Sequence, residues 1–233
     1  MRIHRFFIEA DFFQKGLIEY SEKEFLNQIK NVLRLKPGDK VFLFNNEMDE
    51  AEAEITEIKK DLVKLRILKV QKNIREPKTR TILYCSVLKH NNFEIVVQKA
   101  TEIGIKEIFP IVSERTVKFL LREKRLNKII KEAAEQSGRG FLPVLHNSLT
   151  FSEAIKNAVQ NEINLIFDRD GESFKKFKRE TFNKRGIFIG PEGGWSEAEM
   201  KLAKKNNFKV ISLGKLTLRA ETAAIIASFL VLN

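Results

Sequence analysis

The chain of 233 residues contains one cysteine, Cys85, three histidines, and no apolar run near the ~20 residues that a membrane helix needs. A single cysteine excludes an internal disulfide framework and points to a reducing compartment, so a cytoplasmic location is expected. His4, His90 and His146 lie far apart, and with one thiol beside them they argue against a Cys/His metal site; no metal is expected. The segment MRIHRFFIEADFF meets an acidic residue by Glu9 and is not expected to act as a secretory signal. Nucleotide and hydrolase fingerprints are also missing. No G-x-G-x-x-G follows a strand, and neither G-x-x-x-x-G-K-[ST] nor G-x-S-x-G occurs, so a dinucleotide oxidoreductase and a Walker-type nucleotidase are unsupported.

What the chain has in excess is positive charge. It carries 42 Lys+Arg against 31 Asp+Glu, a net of +11, with 43% hydrophobic residues, which is a folded composition. Residues 1–70 hold 13 basic and 13 acidic side chains, so the whole surplus falls later. Arg115 to Arg139 carries eight basic and three acidic residues, and Arg169 to Arg185 carries seven and three. Such stretches are solvated faces or surfaces for a polyanion such as nucleic acid.

The first seventy residues read as short strands, with one helix expected over Ser21–Leu35 behind a Ser21/Glu24 capping box and ended by Pro37-Gly38-Asp39. Val41–Phe44 is a short apolar strand. Ala51–Ile58 and Leu62–Val70 alternate in the manner of a hairpin, and together these strands suggest a small barrel. The polar stretch 71–80 reads as a linker, which divides the chain into domains 1–71 and 72–233. Beyond it, apolar strands (81–88, 108–112, 163–167, 186–189, 210–213) alternate with helices (93–103, 126–137, 151–158, 196–205, 219–232). Thr150/Glu153 and Ser196/Glu199 supply two more capping boxes. This order predicts an α/β domain with a parallel sheet covered on both faces.

Two glycine-bearing segments leave strand ends and enter helices. Ile189-Gly190-Pro191-Glu192-Gly193-Gly194-Trp195-Ser196 lets the backbone approach a ligand closely. Leu213-Gly214-Lys215-Leu216-Thr217-Leu218-Arg219-Ala220-Glu221-Thr222 sets three polar side chains at the start of an apolar helix, where N–H groups are free. Either alone is an ordinary turn with a capped helix; at successive strand ends they suit two walls of one cavity. QKATEIG (98–104), SERT (113–116) and EAAEQSGR (132–139), with Lys89, place charges and hydrogen-bonding groups near other element ends.

Taken together with RFF (5–7) and VLRLKPGD (32–39), these segments resemble the ribosomal RNA small subunit methyltransferase E family, of the SPOUT superfamily, over essentially the whole chain. The resemblance implies a PUA-like β-barrel followed by a SPOUT-type parallel sheet whose C-terminal segment makes a trefoil knot, an exception to ordinary chain topology. It also implies homodimers, S-adenosylmethionine as cofactor, and 3-methyluridine in small-subunit ribosomal RNA as product. Gly190, Pro191, Glu192, Gly193 and Gly194 match one cofactor wall. Leu213, Gly214, Leu218, Arg219, Glu221 and Thr222 match the second, and Phe167 and Asp168 match a contact at the preceding strand end. Two positions depart from the family: Gln28 stands where a histidine is frequent, and His90-Asn91-Asn92 follow Lys89 where charged residues are frequent.

Transfer to uracil N3 requires loss of the N3 proton, an unpaired or turned-out base, and alignment with the methyl donor. A cation near the uracil oxygens would stabilise the anion. Arg139, Glu192 and Arg219 are therefore the catalytic candidates. For Glu192 and Glu221, orienting donors ranks above base catalysis, which would need a strongly raised carboxylate pKa. Arg2, Arg5, Lys30, Arg34, Lys36, Lys89, Arg115 and Arg139 are the candidates for RNA contact, with the acidic run from Glu47 to Glu57 facing away from phosphates. Two alternatives stay open: a SPOUT enzyme acting elsewhere on RNA, such as a ribose 2′-hydroxyl, and a non-catalytic RNA-binding assembly factor.

Overall fold

The structure is a computed structural model that describes residues 3–10, 16–47, 49–89, 91–117, 120–176 and 182–233. The chain forms two compact units. The first is Met1–Glu76 with Ala134–Phe141, and the second is Pro77–Ala133 with Leu142–Asn233. The division therefore falls inside the expected linker, five residues later than the expected boundary. It also returns one distant segment to the first unit.

In the first unit, β1 (His4–Phe7), β2 (Leu17–Tyr20), β3 (Lys40–Phe44), β4 (Asp49–Ile58) and β5 (Val63–Lys72) form one sheet in the order β1-β3-β4-β5-β2. Among the described residues β1 and β2 are the edges of this sheet, with no ladder between them. Phe6, Phe25, Ile29, Val41, Leu43, Ile55 and Leu65 fill its core. The helix expected over Ser21–Leu35 is shorter. α1 (Lys23–Asn27) runs into a π-helical turn (Gln28–Val32), and its N-cap is Glu22, with no side-chain cap bond. The Ser21/Glu24 capping box is thus a correction. The pattern was present, but the chain enters the helix one residue later.

Acidic residues of β4 are paired with lysines across the sheet. Asp49 pairs with Lys72 at 2.8 Å, Glu52 with Lys40 at 2.9 Å, and Glu57 with Lys64 at 3.2 Å. Opposite charges on facing strands stabilise a ladder that like charges would weaken. Glu50 is buried instead, 1% exposed, and takes Arg5 at 2.6 Å and Arg75 at 2.5 Å.

The second unit is a seven-stranded, all-parallel sheet. It contains β6 (Arg80–Ser86), β7 (Glu107–Val112), β8 (Val144–Leu145), β9 (Leu149–Thr150), β10 (Ile163–Ser173), β11 (Lys184–Ile189) and β12 (Lys209–Ser212). The order is β12-β10-β11-β6-β7-β8, with β9 also on β7. Alternate residues of β6 face opposite cores, Leu83 and Cys85 to one and Ile82 and Tyr84 to the other. That is the period-2 geometry of a strand buried on both faces. α2 (Asn92–Ile103), the first part of α3 (Glu123–Ser137) and α6 (Ala220–Leu232) cover the first face. α4 (Phe151–Ala158) and α5 (Glu197–Lys205) cover the other.

Pro110 in β7 has a physical place. β8 pairs with Glu107 and Ile108, and β9 with Ile111 and Val112, so the residue lacking an N–H falls at the gap between the two short partners.

β10 is longer than the expected 163–167 and irregular. Ile211 pairs with Phe167 and again with Glu172, so residues 168–171 leave the ladder and arch away. Gly171 permits the return, because a Cβ there would lie 2.5 Å from the Ile211 carbonyl carbon.

Candidate active site

The arch of β10, the loop after β11 and the loop after β12 meet at the C-terminal ends of neighbouring parallel strands. Ligands of open α/β sheets bind there. Together they enclose a cavity of about 610 Å³. Its floor is apolar, with Phe167, Ile189, Ile211 and Leu218. Its rim carries Lys89, Asp168, Arg169, Glu192, Arg219 and Glu221.

The glycines shape the walls. A Cβ on Gly190 would come 3.1 Å from the Trp195 ring, which lies under the loop and donates from Nε1 to the Phe167 carbonyl at 3.1 Å. Gly194 and Gly214 adopt φ of +68° and +143°, and the space beside each is open. Side chains at these two points would be strained and would project into open space beside the cavity. Trp195 lay inside the glycine motif without an assigned role; its use as a bridge between two loops is visible only in the fold.

Each rim carboxylate is held by an N–H donor. Glu192 accepts from the Lys89 backbone at 3.0 Å, Glu221 from Asn92 Nδ2 at 3.4 Å, and Asp168 from the Asp170 backbone at 3.0 Å. Among the described residues, the Lys89 ammonium and the Arg219 guanidinium have no ion-pair partner. Arg219 is the N-cap of α6, with φ −64° and ψ 151°, and makes no side-chain cap bond. Beneath the site, burial pushes the Cys85 thiol up, with the nearby Glu192 charge adding to the effect. Both effects disfavour the thiolate form.

Of the thirteen residues expected at the cofactor walls, all but Gly193 and Thr222 line the cavity. Gly193 faces Arg115 instead: a Cβ there would sit 3.3 Å from the Arg115 Cβ. Asn92, Arg169 and Leu216 line the cavity without having been singled out.

The expected RNA contacts separate sharply. Arg139 is 4% exposed and paired with Glu76 at 2.8 Å in the first unit, so it is corrected from catalytic and RNA candidate to a structural ion pair. Arg5 is bound to Glu50, and Lys30 caps the β4–β5 turn by donating to the Lys59 and Lys60 carbonyls. Arg5 is thus held by a buried carboxylate and is corrected likewise, whereas the Lys30 bonds lie at the surface. Arg115 is exposed, but its Nη1 donates to the Gly193 carbonyl at 2.9 Å. Arg34, Lys36 and Lys89 remain exposed, and Arg2 lies outside the described residues. Among the described residues, no group of His, Cys, Asp and Glu could hold a metal ion, and no helix is long and apolar enough to cross a membrane.

A family model described as RNA methyltransferase domain matches residues 75–232, and one described as RNA methyltransferase PUA domain matches residues 29–68. The Ribosomal RNA small subunit methyltransferase E of Rickettsia conorii is 31% identical over 97% of this chain and 94% of its own. The protein of the same name from Mesomycoplasma hyopneumoniae is 32% identical over 86% and 87%. Among solved structures, the Ribosomal RNA small subunit methyltransferase E of Neisseria gonorrhoeae bound to S-adenosyl methionine superimposes with a TM-score of 0.90. It has 26% identity and covers 97% of this chain and 95% of its own.

Proposed function

The chain belongs to the ribosomal RNA small subunit methyltransferase E family, and from that premise we propose that it methylates N3 of a uridine in small-subunit (16S) ribosomal RNA, using S-adenosylmethionine and giving 3-methyluridine. The observation that carries the reading is the cavity built by two glycine-bearing loops at neighbouring strand ends, on a chain matched almost end to end by members of that family. The residues present fit the cofactor. An apolar floor suits a purine and an aliphatic chain, and Gly194 and Gly214 leave backbone open to it. The free N–H groups of the first turn of α6 face a rim that also holds the Asp168 and Glu221 carboxylates for an ammonium or ribose hydroxyl. When bound, S-adenosylmethionine supplies an electrophilic sulfonium methyl group.

The chain's own contribution is positioning and charge. A uridine turned out of its strand reaches the cavity rim, where Arg219 and Lys89 stabilise negative charge on the uracil oxygens as the N3 proton passes to solvent water at the open rim. Glu192 and Glu221 already accept N–H donors, which supports an orienting role over a base role for both.

Calorimetric titration with S-adenosylmethionine tests the enzyme reading against the assembly-factor reading. Binding at one site per chain is expected. Absence of heat together with absence of competition by S-adenosylhomocysteine would remove the enzyme reading.

The proposal extends to a trefoil knot in the C-terminal segment, a homodimer through the second unit, and action in the cytoplasm. For the dimer, support comes from α2 and α6, which leave Ile95 40% and Phe229 55% exposed. Sedimentation is expected to give twice the mass of one chain, and a monomer at micromolar concentration would contradict it.

RNA contact by the first unit is assigned to Arg34 and Lys36, which precede the Pro37-Gly38 turn and are exposed. Replacing both by alanine is expected to weaken RNA binding and to reduce the slope of log K against log salt by about 1–2. An unchanged slope would show that this turn does not touch phosphates.

A further inference from the structure

Two capping boxes of the same chemistry occur in the second unit, and they behave differently. In α4, Glu153 accepts the Thr150 N–H at 2.8 Å through Oε2 and is exposed, with all of its bonds local. In α5, Glu199 is 7% exposed, and its two oxygens are spent on different parts of the chain. Oε2 accepts the Ser196 N–H at 2.9 Å, closing the box, while Oε1 accepts the Glu114 N–H at 2.9 Å from 85 residues earlier. A cap needs only the first of these bonds. Burial of a carboxylate is costly without full pairing, so the second bond calls for an explanation of its own.

Oε1 of Glu199 holds a turn that is itself closed by hydrogen bonds. Ser113 N–H donates to Thr116 Oγ1 at 3.0 Å, the two hydroxyls lie 2.7 Å apart, and Ser113 Oγ lies 3.1 Å from the buried Ser86 Oγ at the end of β6. The residue following Glu114 is Arg115, whose guanidinium donates to the Gly193 carbonyl at 2.9 Å while its stem packs beneath Gly193. On the same loop, Glu192 accepts the Lys89 N–H at 3.0 Å, just past β6. The Gly190–Gly194 wall is therefore tied to the ends of β6 and β7, and Glu199 anchors the tie at its base.

We infer that Glu199 and Arg115 are positioning residues, forming a clamp from the Ser113–Thr116 turn that fixes the Gly190–Gly194 wall in its cofactor-binding shape before the cofactor arrives. The inference rests on the cofactor reading above and adds to it a reason for the order of that loop. A wall of three glycines within five residues loses much backbone freedom on becoming ordered. A clamp that meets this loss during folding removes it from the binding step.

The test pairs Glu199→Gln with Glu153→Gln, the same change in the uncoupled capping box, and adds Arg115→Ala, which deletes the Gly193 bond from an exposed side chain. Amide hydrogen exchange of Gly190, Glu192, Gly193 and Gly194 in the cofactor-free protein is the first readout. Exchange is expected to quicken at least tenfold in Glu199→Gln and Arg115→Ala and to stay unchanged in Glu153→Gln. The second readout is S-adenosylmethionine affinity and KM, expected to weaken about tenfold in the first two variants with kcat changed less than threefold. If Glu199→Gln fails to fold, Arg115→Ala carries both readouts. Wild-type exchange and affinity in Arg115→Ala, or equal effects of Glu199→Gln and Glu153→Gln, would overturn the clamp. A wild-type protein that does not bind S-adenosylmethionine would instead overturn the cofactor reading, and the exchange comparison would still decide whether the clamp exists.

Discussion

Arg219→Ala is expected to lower methyl transfer by about 10²–10³-fold while the protein stays folded. Removing one preorganised donor to developing negative charge typically has an effect of this size. The position separates function from stability. Arg219 is the N-cap of α6 but makes no side-chain cap bond, and the first helical bond, Ala223 N–H to the Arg219 carbonyl at 2.8 Å, belongs to the backbone. Arg219 lines the cavity and, among the described residues, has no carboxylate partner to leave stranded. Thermal unfolding should therefore hardly move, and the loss should fall on kcat more than on cofactor affinity. Wild-type turnover in this variant would remove Arg219 from the chemistry and leave Lys89 as the remaining unpaired rim cation with an ammonium head.

Glu50→Ala is expected to destabilise the first unit by about 3–5 kcal/mol, the range for deleting one partner of a buried ion pair. Glu50 is 1% exposed and holds Arg5 at 2.6 Å, and Gln71 Nε2 donates to it at 2.8 Å. Burial lowers the Arg5 pKa, opposed by the bond and charge of Glu50, while the neighbouring Arg75 charge lowers it further. Without the carboxylate two guanidinium groups face each other, and the Arg5 Nε already lacks a hydrogen-bond partner. Arg75, half exposed, adds little to the cost because water screens it. Denaturant unfolding followed by a probe in the first unit measures this; a change below about 1 kcal/mol would show that the network relaxes around the loss.

The same residues show how far the sequence reached. The α/β order, the parallel sheet and the two glycine loops were legible because each rests on local pattern: apolar runs of strand length, then turn glycines, then capped helices. Thr150/Glu153 and Ser196/Glu199 form the boxes their spacing predicts. Ser21/Glu24 does not, because only five residues of α-helix follow before the π turn, and the chain enters the helix from Glu22.

The failures share one cause: sequence displays a charge but not its partner. Arg5 finds Glu50, and Arg139 finds Glu76, 63 residues away. Both read as surface cations until the fold buried them. Residues 134–141 read as part of the second domain because α3 is continuous, yet they cluster with the first unit. The arch at 168–171 was invisible because it depends on Ile211 pairing twice, which no local spacing encodes. The double duty of Glu199 is hidden in the same way, behind a capping motif whose local half was easy to read.

The central claim, N3 methylation of a uridine from a cofactor held between the two glycine loops, is tested most directly by nucleoside mass spectrometry. Small-subunit ribosomal RNA and assembled subunits lacking the modification would be incubated with the protein and S-adenosylmethionine carrying an isotopically labelled methyl group, then digested. The account predicts label in 3-methyluridine, in stoichiometric yield from at least one of the two substrates. Label in a 2′-O-methylated nucleoside, or none in either substrate, would contradict it.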